Sequence, residues 1–252
     1  MTINETIVET NFDLRRIALI LLAFFFGGAV PINLLTVSFG YAQYIKGAKP
    51  IKEALPIAHE FASTIYIPFI LLPALAALVL IVIYAWRRYP DIVRRILVGA
   101  AVGAVATIAL DAVRLTGVTH GWLPGDNDII FGKLITGSND LPVYLPMGVL
   151  AHYIFGANLG IFYTFVFGRV GGYGMALFWG VFWALLVELG MMTLPPMAPA
   201  LGAFGVDYKW PQLFLLTLFA HILFGIALGL FAQHFLKNED RGGPFAFLRG
   251  PA

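Results

Sequence analysis

Apolar residues in this chain gather into six long runs, approximately 16–41, 57–86, 95–117, 143–168, 173–195 and 211–236, with the charged residues clustered between them. Each run is continuous rather than alternating. At about 1.5 Å per residue, each is long enough to cross about 30 Å of hydrocarbon as a helix. The pattern predicts an all-α polytopic membrane protein with six transmembrane helices, since barrel strands would alternate with a period of two. The first run opens directly after Arg15 and Arg16, as a signal peptide does. It continues well past the roughly 7–15 apolar residues of a secretory signal and reads as a retained helix. Pro68 and Pro73 predict a kink in the second.

Two of the runs read almost alike. Leu150-Ala-His-Tyr-Ile-Phe-Gly-Ala-Asn-Leu-Gly-Ile-Phe162 matches Phe219-Ala-His-Ile-Leu-Phe-Gly-Ile-Ala-Leu-Gly-Leu-Phe231. In each, a histidine (His152, His221) is followed four and eight residues later by glycine, which places all three on one helix face. The helix before His152 carries Asp111, and the helix before His221 carries Glu188, with Thr116 and Thr193 five residues beyond each acid. The first two runs look like a worn copy, with Asn33 in the acid position, Ser38 after it and Ala58-His59 opening the next helix. The chain thus reads as three helical hairpins of equal orientation, an internal repeat.

Composition agrees with a membrane setting: 60% of the residues are hydrophobic and 12% charged, with a mean hydropathy of +0.84. A soluble domain carries about 25% charged residues. The lipid bilayer is therefore the first partner. The net charge of +2, with no basic stripe, argues against nucleic acid. The absence of cysteine excludes disulfides, iron–sulfur clusters and thiolate metal sites. Lysine and arginine set the orientation. Arg15, Arg16, Arg87, Arg88, Arg94, Arg95, Arg169, Lys237, Arg241 and Arg249 fall at one set of ends, against Lys46, Lys49, Lys52, Lys133 and Lys209 at the other. That bias predicts a plasma (inner) membrane protein with both termini in the cytoplasm. It puts the outer loop 118–142 outside, as a lid over the membrane or a surface for a partner. The apolar patch Ile129–Ile135 within that loop reads as a short interfacial helix.

Counting from the arginine clusters, Asn33 lies 17 residues beyond Arg16 and Asp111 16 beyond Arg95, while His152 lies 17 before Arg169 and His221 16 before Lys237. With Glu188, these residues form a polar layer about 24 Å from the inner boundary, in the outer third of the bilayer. His59 falls at or above the outer interface. Arg114, three residues after Asp111, can pair with it on the same helix. Intramembrane ionisable residues mark functional sites by default. The layer Asp111, Arg114, His152, Glu188, His221 and Asn33 is accordingly the candidate site.

Three chemistries fit these residues. The first is transport-type handling of a proton, ion or small solute, for which tandem units with sites at their interface are a familiar arrangement. The second is a structural clasp in an accessory or scaffold subunit of a larger membrane complex, or in a homo-oligomer, because histidine–acid bonds and small-residue faces also simply pack helices. The third is redox. His152, His221, Asp111 and Glu188 have the donor types of a zinc, iron or copper site, and two histidines at equal depth are a pattern that haem can use. No two of these donors have the i, i+3 or i, i+4 spacing of common metal signatures, and the reading without a cofactor leads. His59-Glu60 lacks the second histidine of a zinc-protease motif, and Gly125-Asp-Asn-Asp128 lacks the spaced ligands of a calcium loop. No nucleotide loop or catalytic triad motif occurs, and the leading expectation is not an enzyme.

Overall fold

Asp13 begins the first helix by accepting hydrogen bonds from the backbone N–H groups of Arg15 (3.0 Å) and Arg16 (3.2 Å), two donors that a helix start leaves unpaired. From there the computed structural model describes residues 13–237, and within them every regular element is helical. Six helices are long and apolar enough to span a membrane: α1 (Leu14–Ile45), α2 (Ile51–Ala85), α3 (Pro90–Thr119), α5 (Leu141–Val166), α6 (Tyr173–Thr193) and α8 (Gln212–Phe235). Two short helices, α4 (Asn127–Thr136) and α7 (Met197–Leu201), lie between them. The spans agree with the apolar runs to within about a turn. The exceptions are the starts of α2 and α3, six and five residues earlier than the apolar runs, where Pro50 caps α2 ahead of Glu53 and Pro90 opens α3. Arg241 and Arg249 lie outside the described residues.

Proline is absorbed without ending the long helices. In α1 the backbone widens to π-helical pairing over Phe25–Ala29, just ahead of Pro31. In α2 the same occurs over Ala62–Leu71, ahead of Pro73 and including Pro68. Proline supplies no N–H, and a widened turn lets the neighbouring carbonyls find later donors. The kink expected in α2 is taken up as this stretch.

Glycine decides how the central helices meet. α3 runs antiparallel to α5. A β-carbon on Gly103 would lie 2.1 Å from the Gly156 carbonyl oxygen, and one on Gly160 would lie 2.0 Å from that of Gly99. α6 runs antiparallel to α8 in the same manner, with Gly180 against the Gly225 carbonyl (2.2 Å) and Gly229 against that of Ala176 (2.2 Å). Small-residue faces of this kind let backbones approach within a membrane. α3 also packs on α8, giving a central row α5–α3–α8–α6, with α4 on the outer flank of α5, α1 against α5 and α3, and α2 against α1, α3 and α4.

The arginine-rich end is tied together by side chains that bond backbone. Arg95 Nη1 donates to the Thr164 carbonyl (2.9 Å), and Arg94 Nη2 to that of Phe235 (2.8 Å). Gln233 both accepts from the Val170 N–H (3.0 Å) and donates to its carbonyl (3.2 Å), closing the α5–α6 turn onto α8.

Candidate functional site

Moving along the two glycine seams, away from the arginines, each pair of helices ends in a histidine–carboxylate contact. The register is the same in both. On α3, Asp111 follows Thr107, Gly103 and Gly99 at steps of four, and on α6, Glu188 follows Ala184, Gly180 and Ala176. Steps of four hold one helix face. The acid therefore sits directly above the seam, opposite the histidine that heads the glycines of the partner helix.

In the first pair, His152 Nε2 lies 3.0 Å from Asp111 Oδ1. Arg114 Nε donates to the same oxygen at 2.7 Å. The guanidinium then turns to the segment leading into α4, with Nη1 bonded to Asp126 Oδ1 and Nη2 to Asp128 Oδ2 at 3.1 Å. Asp126 also caps α4 by accepting from the Asp128 N–H (3.0 Å). Phe131, one turn into α4, stacks its ring on His152 with centroids 5.7 Å apart. Three carboxylates thus surround one guanidinium that is only 5% exposed. Burial pushes the Asp128 carboxyl above its ordinary range, against the pull of Arg114.

The second pair contains no arginine. His221 Nδ1 lies 2.9 Å from Glu188 Oε2 and 2.8 Å from the Thr217 carbonyl one turn back on α8. The ring N–H takes the direction of that carbonyl, so Glu188 Oε2 stands close to Nδ1 but off its hydrogen-bond line, with no hydrogen bond of its own. The other oxygen of Glu188 accepts from Thr217 Oγ1 at 2.7 Å. Glu188 is 3% exposed.

A pocket separates the two pairs. Arg114 and Leu110 of α3 form one wall, and Leu216, Thr217 and His221 of α8 form the other, with the segment 123–127 above. Its interior volume is small, about 30 Å³. At about 10–15 Å³ for each water, the interior suits about two waters or an ion of similar size.

Several sequence expectations change here. Asn33 does not join the buried groups: it is exposed, and its amide donates to the Ala29 carbonyl four residues earlier on its own helix (2.8 Å). Thr116 and Thr193 likewise bond carbonyls of their own helices, Ala112 at 3.2 Å and Leu189 at 2.6 Å, rather than the pairs they follow. His59 holds α4 instead of a carboxylate, with Nδ1 2.8 Å from the Leu134 carbonyl. The four-residue metal set His152, His221, Asp111 and Glu188 divides into two separate pairs, and among the described residues no three histidine or acidic side chains are arranged to hold a metal ion. Two donors per pair fall short of a three- or four-ligand site.

Four contributors escaped sequence reasoning: Asp126, Asp128, Phe131 and Thr217. Asp126 and Asp128 resembled only a failed calcium loop, although Asp126 ahead of an apolar run is a helix-cap signal. Thr217 was legible as a hydroxyl one turn before His221 on the same face.

Fold and site define a polytopic, all-helical membrane protein with two buried His/carboxylate pairs. Comparison with protein families, curated proteins and solved structures finds no match for the chain.

Proposed function

We propose that this protein handles protons or small ions in a transport-type role, with the pocket between the two His/carboxylate pairs as its working site. The observation that carries this reading is the surplus of carboxylate. A dry structural clasp is best neutral, because an unpaired buried charge costs several kcal/mol. Among the described residues, Asp111, Asp126 and Asp128 share one guanidinium, that of Arg114. The cluster must hold a proton, on His152 or on a carboxyl, or attract a cation. A water-sized pocket adjoins it and reaches the second titratable pair. Chains of acidic and imidazole groups within a membrane are the usual substrate of proton relays.

The shared register of the two pairs supports an internal repeat of helical hairpins, with the site at the junction of the repeats as in many transporters. The distribution of lysine and arginine supports cytoplasmic termini in a plasma (inner) membrane, which places the pairs in the outer third of the bilayer. In that frame the segment 123–136 lies outside and acts as a lid over the pocket.

Reconstitution in liposomes under an imposed pH gradient tests the reading. Wild-type protein is expected to dissipate the gradient, and Glu188→Gln and His221→Ala are each expected to slow it by about 100-fold, the scale of losing a positioned proton-transfer group. Gradients that decay at the same rate with wild-type protein as in empty vesicles would rule it out.

One observation favours a second reading, an accessory subunit of a larger membrane complex. Each histidine sits on its own acid above a tight glycine seam, which is how a clasp would be built. In that case, replacing both pairs with leucine preserves folding and complex assembly.

A further inference from the structure

The wall of the pocket differs in chemistry from the groups behind it. Its polar side chains are Arg114, Asn127, Thr217 and His221, and the remainder are apolar. The four neighbouring carboxylates stand one layer back: Asp111, Asp126 and Asp128 on the guanidinium, and Glu188 on the Thr217 hydroxyl. None of them lines the pocket.

That arrangement discriminates between cations. A metal ion that sheds water needs several oxygen ligands, about six for hard cations, held at a fixed radius. The side chains of this wall supply the Asn127 amide oxygen and a Thr217 hydroxyl already committed to Glu188. A proton needs no such cage, since it passes along water and imidazole. The wall can hold water both by its oxygen and by its hydrogen. Arg114 spends three of its five N–H groups on carboxylates, leaving two. His221 gives its Nδ1–H to the Thr217 carbonyl and keeps Nε2, without a protein partner among the described residues, to accept a hydrogen bond from water.

We infer that the pocket selects protons over sodium and potassium, taking them from its water onto His221 Nε2, because its wall offers an imidazole nitrogen that can accept a proton and no carboxylate that could cage a metal cation. The inference rests on the proton- or ion-handling reading above and narrows it to one species.

The test uses the full chain in proteoliposomes, with an internal pH dye and, separately, uptake of radioactive sodium. Wild-type protein is expected to move protons and to take up no more sodium than empty vesicles. Asn127→Asp sets a carboxylate of equal size into the wall without touching either pair. Its sodium uptake is expected to rise about tenfold, the effect of ~1.4 kcal/mol of added cation affinity. Sodium uptake by wild-type protein at the rate of proton flux overturns the selectivity and leaves the ion-handling reading standing. A folded Asn127→Asp protein that still excludes sodium overturns the role of the wall. If wild-type protein moves neither ion, both the selectivity and the reading beneath it fall.

Discussion

Gly103 and Gly156 face each other across the α3–α5 seam so closely that a β-carbon on the first would lie 2.1 Å from the carbonyl oxygen of the second. The obstacle is backbone, which cannot swing aside, so a methyl group must push the helices apart. Gly103→Ala is expected to lose about 1–3 kcal/mol or more, the usual cost of overpacking. Gly225→Ala should behave alike, since its β-carbon would lie 2.4 Å from the Gly180 carbonyl. Gly174→Ala is the control: nothing lies within 4 Å, and alanine favours helix by up to about 1 kcal/mol. Thermal unfolding in mild detergent separates the three.

Arg114 balances three carboxylates, so its removal should cost more than the loss of a single ion pair. Arg114→Leu is expected to destabilise by about 3–5 kcal/mol, the range for leaving buried charge uncompensated. Adding Asp126→Asn and Asp128→Asn to that variant should restore part of the loss. Unfolding midpoints of the single and triple variants check this, and an equal loss in both would refute the balancing role.

Coupling across each pair is measurable by double-mutant cycles. Glu188→Gln with His221→Ala, and Asp111→Asn with His152→Ala, are each expected to return coupling of about 0.6–2 kcal/mol, the range found within membranes. The first cycle should change little when salt is raised, because Glu188 is almost completely buried.

Asp128 gives a pH dependence of unusual sign. Burial holds its carboxyl above the ordinary value of 3.8 in the folded protein. Below that ordinary value both states are protonated and nothing is lost. As pH rises from there to the folded value, the unfolded chain releases its proton first, so stability falls, and the loss persists at neutral pH. Asp128→Asn removes this titration. It is therefore expected to unfold at a higher temperature than wild type near pH 7, with the gap closing on acidification towards 3.8. A gap that widens in acid would contradict the assignment.

How much of this was legible beforehand depended on range along the chain. Six spans followed from runs of apolar residues, since hydrocarbon thickness fixes helix length. The histidine–glycine faces followed from steps of four. Asn33 misled because its place in a worn repeat mirrors that of Asp111, while the side chain found a carbonyl on its own helix. The Asp126 and Asp128 contacts were hidden for a different reason. They depend on a loop folding back onto α3, which no periodicity encodes, although a guanidinium with five donors has room for more than the one acid on its own helix.

Backbone locked to backbone joins α3 to α5 and α6 to α8, whereas Gly117 of α3 meets α8 through the tip of the Leu216 side chain. A side-chain tip can change rotamer; opposed carbonyls cannot. At Gly117 the α3–α8 contact can therefore yield where the two glycine seams cannot, and the pocket lies between these same two helices. The molecule resembles a book, with two stiff covers and a pliant spine. A slight rocking of one cover against the other would widen or pinch the gap between Arg114 and His221 while leaving both His/carboxylate pairs whole.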